Sequence, residues 1–328
     1  MPVAAIQMDV TQAPVGERLG RATELVAEAA AGGAQLVVLP ELFNTGYEFH
    51  PRNYALAEPM GGQTVTWMRA QAARHNIHLA GSLALLEQSD IYNTALLLAP
   101  DGRFWRHDKI HIVLWERAYF REGDRITIAD TDLGKLGLMV CSDTLRPDLW
   151  AQYAGRVQGM LLMFSPGGGD ADLVFPDGWR RNYWEFEKTV FPPDPAFDPD
   201  DDDGLFAQIA WMPVPMVSAS QAGLLRTRLP KLAALLQMSN LADRASQASE
   251  TWLEMPLPMA TVITEPEQGW LAQGTTGGDG VILAEIALAD EPPQPKGPQP
   301  KMYVGEDHVA KLVRPLYRAG VRRQWGRR

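Results

Sequence analysis

Leu136-Gly137-Leu138-Met139-Val140-Cys141-Ser142-Asp143 decides how the chain is read. Its apolar run has the continuous hydrophobicity of a strand covered on both faces, and Pro147-Asp148 just beyond it opens a helix. The chain's single cysteine therefore falls at a strand-to-helix turn. Such a turn lifts a side chain off the end of a sheet and aims backbone N–H groups at it, which suits a nucleophile beside a developing oxyanion. A lone Cys in an apolar run is ordinarily a small buried hydrophobe, so its surroundings have to decide its role.

Working outward, the same pattern recurs. Gln35-Leu36-Val37-Val38-Leu39 is another buried-strand run, closed by Pro40 and followed by Glu41. Tyr92 to Leu98 and Arg103-Phe104-Trp105 flank an Asp101-Gly102 hairpin turn, and the second strand runs out into His107-Asp108-Lys109-Ile110-His111. Glu116 follows, ahead of the turn Glu122-Gly123-Asp124. Taken singly, each of these charges is an ordinary solvated loop residue. Gly159 to Phe164 is a further strand, ending in Ser165-Pro166-Gly167-Gly168-Gly169. That glycine run lacks the Lys-Ser/Thr of a phosphate loop, so a close backbone approach or a pocket loop is expected instead.

Helical spacing begins at Glu17, with Leu19, Ala22, Leu25, Val26, Ala29 and Ala30 on one face and Gly32-Gly33 as the stop. It returns over Gln63 to His75 and over Pro147 to Gln158. Ile77 to Leu83 and Met212 to Ser218 read as strands, and Met259 to Ile263 and Gly280 to Ile286 as the last two strands of the core. Phe191 to Gly204, with four prolines and a run of aspartates, reads as a solvated acidic insertion rather than a calcium loop, because the EF-hand spacing is absent. Leu224 to Leu253 reads as largely helical, a lid or an interface. The expected organisation is one domain over 1–290, interrupted by insertions near 191–204 and 226–256. A Pro-rich linker, a helix over Glu306 to Tyr317 and a frayed basic tail from Arg314 would make up 291–328.

The formal net charge of −10 over 328 residues argues against nonspecific binding to nucleic acid or anionic membranes. One cysteine allows no internal disulfide and no cysteine-based zinc site, and a reducing cytoplasm is the expected setting. No uncharged apolar run approaches the roughly 18 residues of a membrane span, and no export signal is read at the N-terminus.

Glu41, Lys109, Glu116 and Cys141 each lie at or just past a strand-like run, so a layered α/β fold brings them to one edge. This constellation resembles the nitrilase superfamily of carbon–nitrogen hydrolases. Leu36-Val37-Val38-Leu39-Pro40-Glu41-Leu42-Phe43 with Thr45-Gly46-Tyr47 is similar to the family's first-glutamate motif, and His107 to His111 to its lysine motif. Glu116 with Tyr119-Phe120 matches the second-glutamate segment, Val140-Cys141-Ser142-Asp143 with Pro147-Asp148 the nucleophile motif, and Tyr92-Asn93-Thr94-Ala95 and Gln7 also fall in place. The likeness covers residues 3 to about 170 and resumes more loosely from Met212 to Ile286.

The resemblance implies a four-layer α-β-β-α sandwich that forms a homodimer or higher homo-oligomer and uses no metal or organic cofactor. It implies catalysis by Cys141, Glu41, Lys109 and Glu116 on a small amide, N-carbamoyl or nitrile substrate. Ser142, Tyr47, Arg146 and His111 are the expected oxyanion and substrate-binding residues. Ser142 stands where the family commonly has an aromatic, which implies a wider or more polar pocket. Arg146 would meet a substrate carboxylate or form a surface ion pair. Where an Asn-Arg pair is frequent this chain has Ala219-Ser220-Gln221. Alternatives are a true nitrilase, an acyltransferase, and a silent family member kept for binding or scaffolding.

Overall fold

A computed structural model describes residues 1–165, 170–192, 202–275, 277–304 and 309–326. The chain opens as β1 (Pro2–Asp9), α1 (Val15–Ala31) and β2 (Leu36–Val38). The helix buries Leu19, Ala22, Leu25, Val26 and Ala29, as their spacing predicts, and also Arg18. A short α2 (Asn53–Leu56) and α3 (Gln63–His75) lead into the antiparallel meander β3 (His78–Glu87), β4 (Asp90–Leu98) and β5 (Phe104–Asp108). Next come β6 (Ile128–Thr131), β7 (Gly134–Val140), a 3₁₀ turn over Cys141–Leu145, α4 (Pro147–Tyr153) and β8 (Gly159–Phe164). The remainder comprises β9 (Asp172–Val174), β10 (Arg180–Asn182), α5 (Tyr183–Val190), α6 (Gly204–Trp211), β11 (Met216–Thr227), α7 (Leu232–Gln237), β12 (Trp252–Leu257), β13 (Val262–Glu265), β14 (Gly269–Gln273), β15 (Gly280–Glu285) and α8 (Ala310–Trp325).

The strands form two leaves. One runs β15-β1-β2-β3-β4-β5 and the other β6-β7-β8-β11-β13-β14. Strand β11 joins them: Met216 to Ser220 pair with β8, whereas Ser220 to Ala222 pair with the end of β1. Alternation along β1 shows the consequence. Val3 and Ala5 point between the leaves, where they meet Leu36, Val38, Leu138, Val140, Leu161 and Val217. Ala4, Ile6 and Met8 point outward to α1 and α3 through Val26 and Met68. The second leaf's outer face packs on α4 and α6 through Trp150 and Ile209. The layers are therefore α-β-β-α. Both faces of each central strand are covered, which is why their sequences read as unbroken apolar runs.

Several expectations are corrected. Leu224 to Leu253 is not a helical block: its ends are the antiparallel strands β11 and β12, paired from Gly223–Leu257 to Thr227–Leu253, and only α7 and a 3₁₀ turn over Ala242–Gln247 lie between. The strand expected over Met212 to Ser218 starts at Met216, because Met212 caps α6. An additional strand, β14, pairs with β13 before β15. The basic tail is not frayed over its described length. Helix α8 continues to Trp325, whose Nε1 donates to Tyr54 O at 2.8 Å, and Tyr317 Oη donates to Asp90 Oδ1 at 2.9 Å. Its arginines Arg314, Arg318, Arg322 and Arg323 are exposed on the opposite face. Residues 166–169 of the glycine loop and 193–201 of the acidic insertion lie outside the described residues. No helix among the described residues is long and apolar enough to cross a membrane.

Candidate active site

The turn at Cys141 is held by one buried carboxylate. Strand β7 ends at Val140, and Cys141 adopts φ 46°, a left-handed conformation that costs a non-glycine residue on the order of 1 kcal/mol. Asp143 offsets this strain. Its carboxylate accepts from Val140 N at 3.0 Å, Ile110 N at 2.9 Å and His111 N at 2.8 Å, and contacts His107 Nε2 at 2.9 Å. Burial pushes the Asp143 carboxyl up, but His107 and the converging N–H donors outweigh it and hold it below the usual range. Asp143 thereby fastens the lysine segment to the cysteine turn. Thr144 Oγ1 closes the turn by donating to Cys141 O at 2.7 Å.

Beside this turn lies a sealed ionic network. Glu41, Lys109 and Glu116 are 0%, 1% and 2% exposed. Lys109 Nζ donates to Glu41 Oε1 at 2.8 Å and to both Glu116 oxygens at 2.9 and 2.8 Å. Tyr47 Oη donates to Glu116 Oε1 at 2.8 Å. Glu41 also accepts from Asn93 Nδ2 at 2.7 Å and, on Oε2, from Ser165 N at 2.9 Å. Asn93 is itself fixed by Ser82 Oγ at 2.9 Å, and Gln221 Nε2 holds Glu41 O at 2.6 Å. Cys141 Sγ lies 4.0 Å from Ser165 O. One residue's two peptide groups thus bracket the carboxylate and the thiol.

The environment separates the protonation states. Burial, with repulsion from Glu116, pushes Glu41 up to about 7 against the pull of Lys109 and Asn93. Burial raises the Cys141 thiol well above its ordinary value, and Glu41 adds to the shift while Lys109 opposes it. For Lys109 burial acts downward, but Glu116 and Glu41 outweigh it and hold the ammonium charged well past the usual range. Burial and then the Glu116 charge keep Tyr47 a phenol. The arrangement joins a carboxyl that titrates near neutrality, a resting thiol and a fixed cation, a set that can transfer protons at neutral pH.

Of the residues expected at the site, Glu41, Lys109, Glu116 and Tyr47 share this network, and Cys141, Ser142 and His111 line the adjoining cavity of about 450 Å³. Arg146 does not. It pairs with Asp148 at 2.7 and 2.9 Å outside the cavity lining, so the ion-pair alternative holds over a substrate contact. The expectation of a more polar pocket is also corrected: Ser142 Oγ turns away to His111 O at 2.5 Å, and the wall is largely aromatic and aliphatic. Sequence reasoning assigned no role to Asn93, Asp143, Ser165 or Gln221. Asn93, Asp143 and Gln221 stand inside stretches already marked by the resemblance, whereas Ser165 acts through its backbone and leaves no side-chain signal. Among the described residues, no group of three or more His, Cys, Asp or Glu is arranged to hold a metal ion.

Residues 2–173 match the carbon-nitrogen hydrolase family model. A nitrilase of Pyrococcus abyssi is 33% identical over 178 residues, covering 53% of this chain and 66% of its own. The omega-amidase of Mus musculus is 34% identical over 178 residues, covering 50% of this chain and 62% of its own. The chain thus spans less than two thirds of the length of these relatives. Among solved structures, an amidase variant from Nesterenkonia sp. AN1 that shows Michael addition of acrylamide at its active-site cysteine superposes with a TM-score of 0.61. It is 18% identical, with 88% of this chain and 93% of that one covered, a likeness of fold.

Proposed function

Because the chain belongs to the carbon–nitrogen hydrolase family, we propose that it hydrolyses the C–N bond of a small amide through a thioester on Cys141. The observation that carries this reading is the bracketing of Glu41 and Cys141 by the two peptide groups of Ser165. The Glu41 carboxylate takes the thiol proton as Sγ bonds to the carbonyl carbon, and the carbonyl π pair moves onto oxygen. The Ser142 N–H and Lys109, which turns one of its Glu116 bonds toward the new charge, hold the oxyanion. As the intermediate collapses, the C–N bond breaks and the Glu41 proton passes to the departing nitrogen, giving ammonia or an amine. Water then attacks the thioester, yielding its proton to Glu41, which returns it to sulfur as the carboxylic acid leaves. Glu116 and Tyr47 position Lys109.

The omega-amidase and amidase relatives support an amide substrate. A nitrile is the second reading, favoured by the Pyrococcus abyssi relative, since the same thiol can attack either carbon. Ammonia release from amides, N-carbamoyl compounds and nitriles, run beside Cys141→Ala, tests both. Activity lost in the variant supports the thiol hydrolase, and the best substrate chooses between the readings. Silence across the set, in a folded chain whose Cys141 resists iodoacetamide, would favour a binding or scaffolding role.

A further inference from the structure

The cavity at Cys141 has a polar floor and an apolar wall. Phe49, Leu145, Phe164, Trp184, Leu205 and Met255 carry the wall, and its volume of about 450 Å³ is in the range of small-ligand sites. Trp184, Leu205 and Met255 lie on α5, α6 and β12, beyond residues 2–173 of the family match. Several polar side chains around the cavity are engaged within the protein. Tyr183 Oη donates to Glu187 Oε1 at 2.6 Å and accepts from Trp115 Nε1 at 3.0 Å, while Thr144 Oγ1 and Ser142 Oγ serve backbone carbonyls.

Charge is as one-sided as polarity. Among the described residues that line the cavity, Lys109 is the one Lys or Arg, and its Nζ is committed to Glu41 and Glu116. His111 also lines it, and burial and then the nearby Arg146 charge hold its pKa below the ordinary value, against a positive charge on the ring. The sequence of 166–169 and 193–201, between β8 and α6, contains no Lys or Arg. A carboxylate at the far end of a substrate would lose its water here and meet only cations already paired within the protein, Lys109 with Glu41 and Glu116 and the nearby Arg146 with Asp148. An alkyl or aryl group would gain from the same burial.

Resting on the hydrolase reading above, we propose that this pocket selects primary amides of monocarboxylic acids with an uncharged alkyl or aryl chain. It rejects amides whose other end is a carboxylate, including the monoamides of dicarboxylic acids and N-carbamoyl amino acids. Binding energy comes from the wall, each buried methylene adding about fourfold to kcat/KM.

The test is ammonia release by the full chain from propionamide, hexanamide, phenylacetamide and adipamate, the chain-matched monoamide of adipic acid. Hexanamide is expected to exceed propionamide, and to exceed adipamate by about 100-fold in kcat/KM. Leu145→Arg, at an exposed position on the cavity wall, is expected to narrow the hexanamide-to-adipamate ratio about tenfold by supplying a counter-charge. Turnover of adipamate equal to or above that of hexanamide would overturn the inference and leave the hydrolase reading intact. A folded chain that hydrolyses none of the four, with Cys141 inert to iodoacetamide, would sink both.

Discussion

The floor and the wall of the cavity are held by different physics. The floor is a closed set of hydrogen-bonded charges in which Glu41 has three donors and Lys109 satisfies two carboxylates. The wall turns apolar side chains inward, with Leu253 and Met255 on the hydrogen-bonded strand β12 and Tyr183 on α5 joining a core that also takes in Leu173, Leu225 and Leu236. A charged floor is strongly destabilised where the loss of one partner leaves a buried charge uncompensated. A packed wall loses only the contacts removed. On the proposed function, the comparison separates chemistry from substrate choice, the first resting on strand ends and the second on a wall that draws Phe49, Leu145 and Phe164 from the family-matched region and Trp184, Leu205 and Met255 from later segments.

The largest expected effect is at the floor's centre. Lys109→Met strands two buried carboxylates, and should cost roughly 3–5 kcal/mol of stability in chemical denaturation. It should also lower kcat/KM by about 10³-fold or more through loss of oxyanion support. Next, Glu41→Gln should reduce kcat about 10³-fold with little loss of fold. It should also change the pH response. The folded chain keeps the Glu41 proton up to about 7, whereas the ordinary value is 4.5. Over that window the folded state binds more protons, so this group's contribution to stability falls as pH rises. Denaturation at both ends of the window should show the fall in the native chain and its absence in Glu41→Gln.

Asn93→Ala removes a donor that favours the Glu41 carboxylate. The acid limb of kcat/KM, expected near 7 in the native chain, should move to higher pH, with activity below the limb reduced about tenfold. Trp184→Ala should lower kcat/KM on hexanamide by about tenfold while leaving that limb unmoved. A limb that shifted with Trp184→Ala would break the separation of floor from wall. The smallest effect belongs to Trp325→Ala, outside the cavity lining. It removes the indole N–H bond to Tyr54 O and should cost about 1 kcal/mol without changing kcat.

The same contrast explains what the sequence made legible. Glu41, Lys109 and Cys141 each terminate or follow an apolar run, so their convergence on one sheet edge follows from local pattern and layered topology. The wall depends on distant pairing. Arg226 and Arg228 stack on Trp252 at 4.6 and 4.4 Å, and Arg226 pairs with Glu254 at 3.2 Å, across a strand register that no local periodicity reveals. With its partner strand unknown, the segment from Leu224 reads as helix. Arg146 misleads for another reason: its position in the motif suggests the pocket, but Asp148, two residues on, captures it first. Helix α8 hides its apolar stripe of Val313, Tyr317, Val321 and Trp325 among arginines that face solvent.

The central claim is a covalent acyl intermediate on Cys141. Rapid-quench mass spectrometry of the full chain mixed with hexanamide, followed by peptide mapping, tests it most directly. The account predicts a hexanoyl adduct that maps to Cys141, decays as hexanoate appears and is absent in Cys141→Ala. Ammonia release at an undiminished rate by Cys141→Ala, with no adduct in the native chain at any quench time, would contradict it.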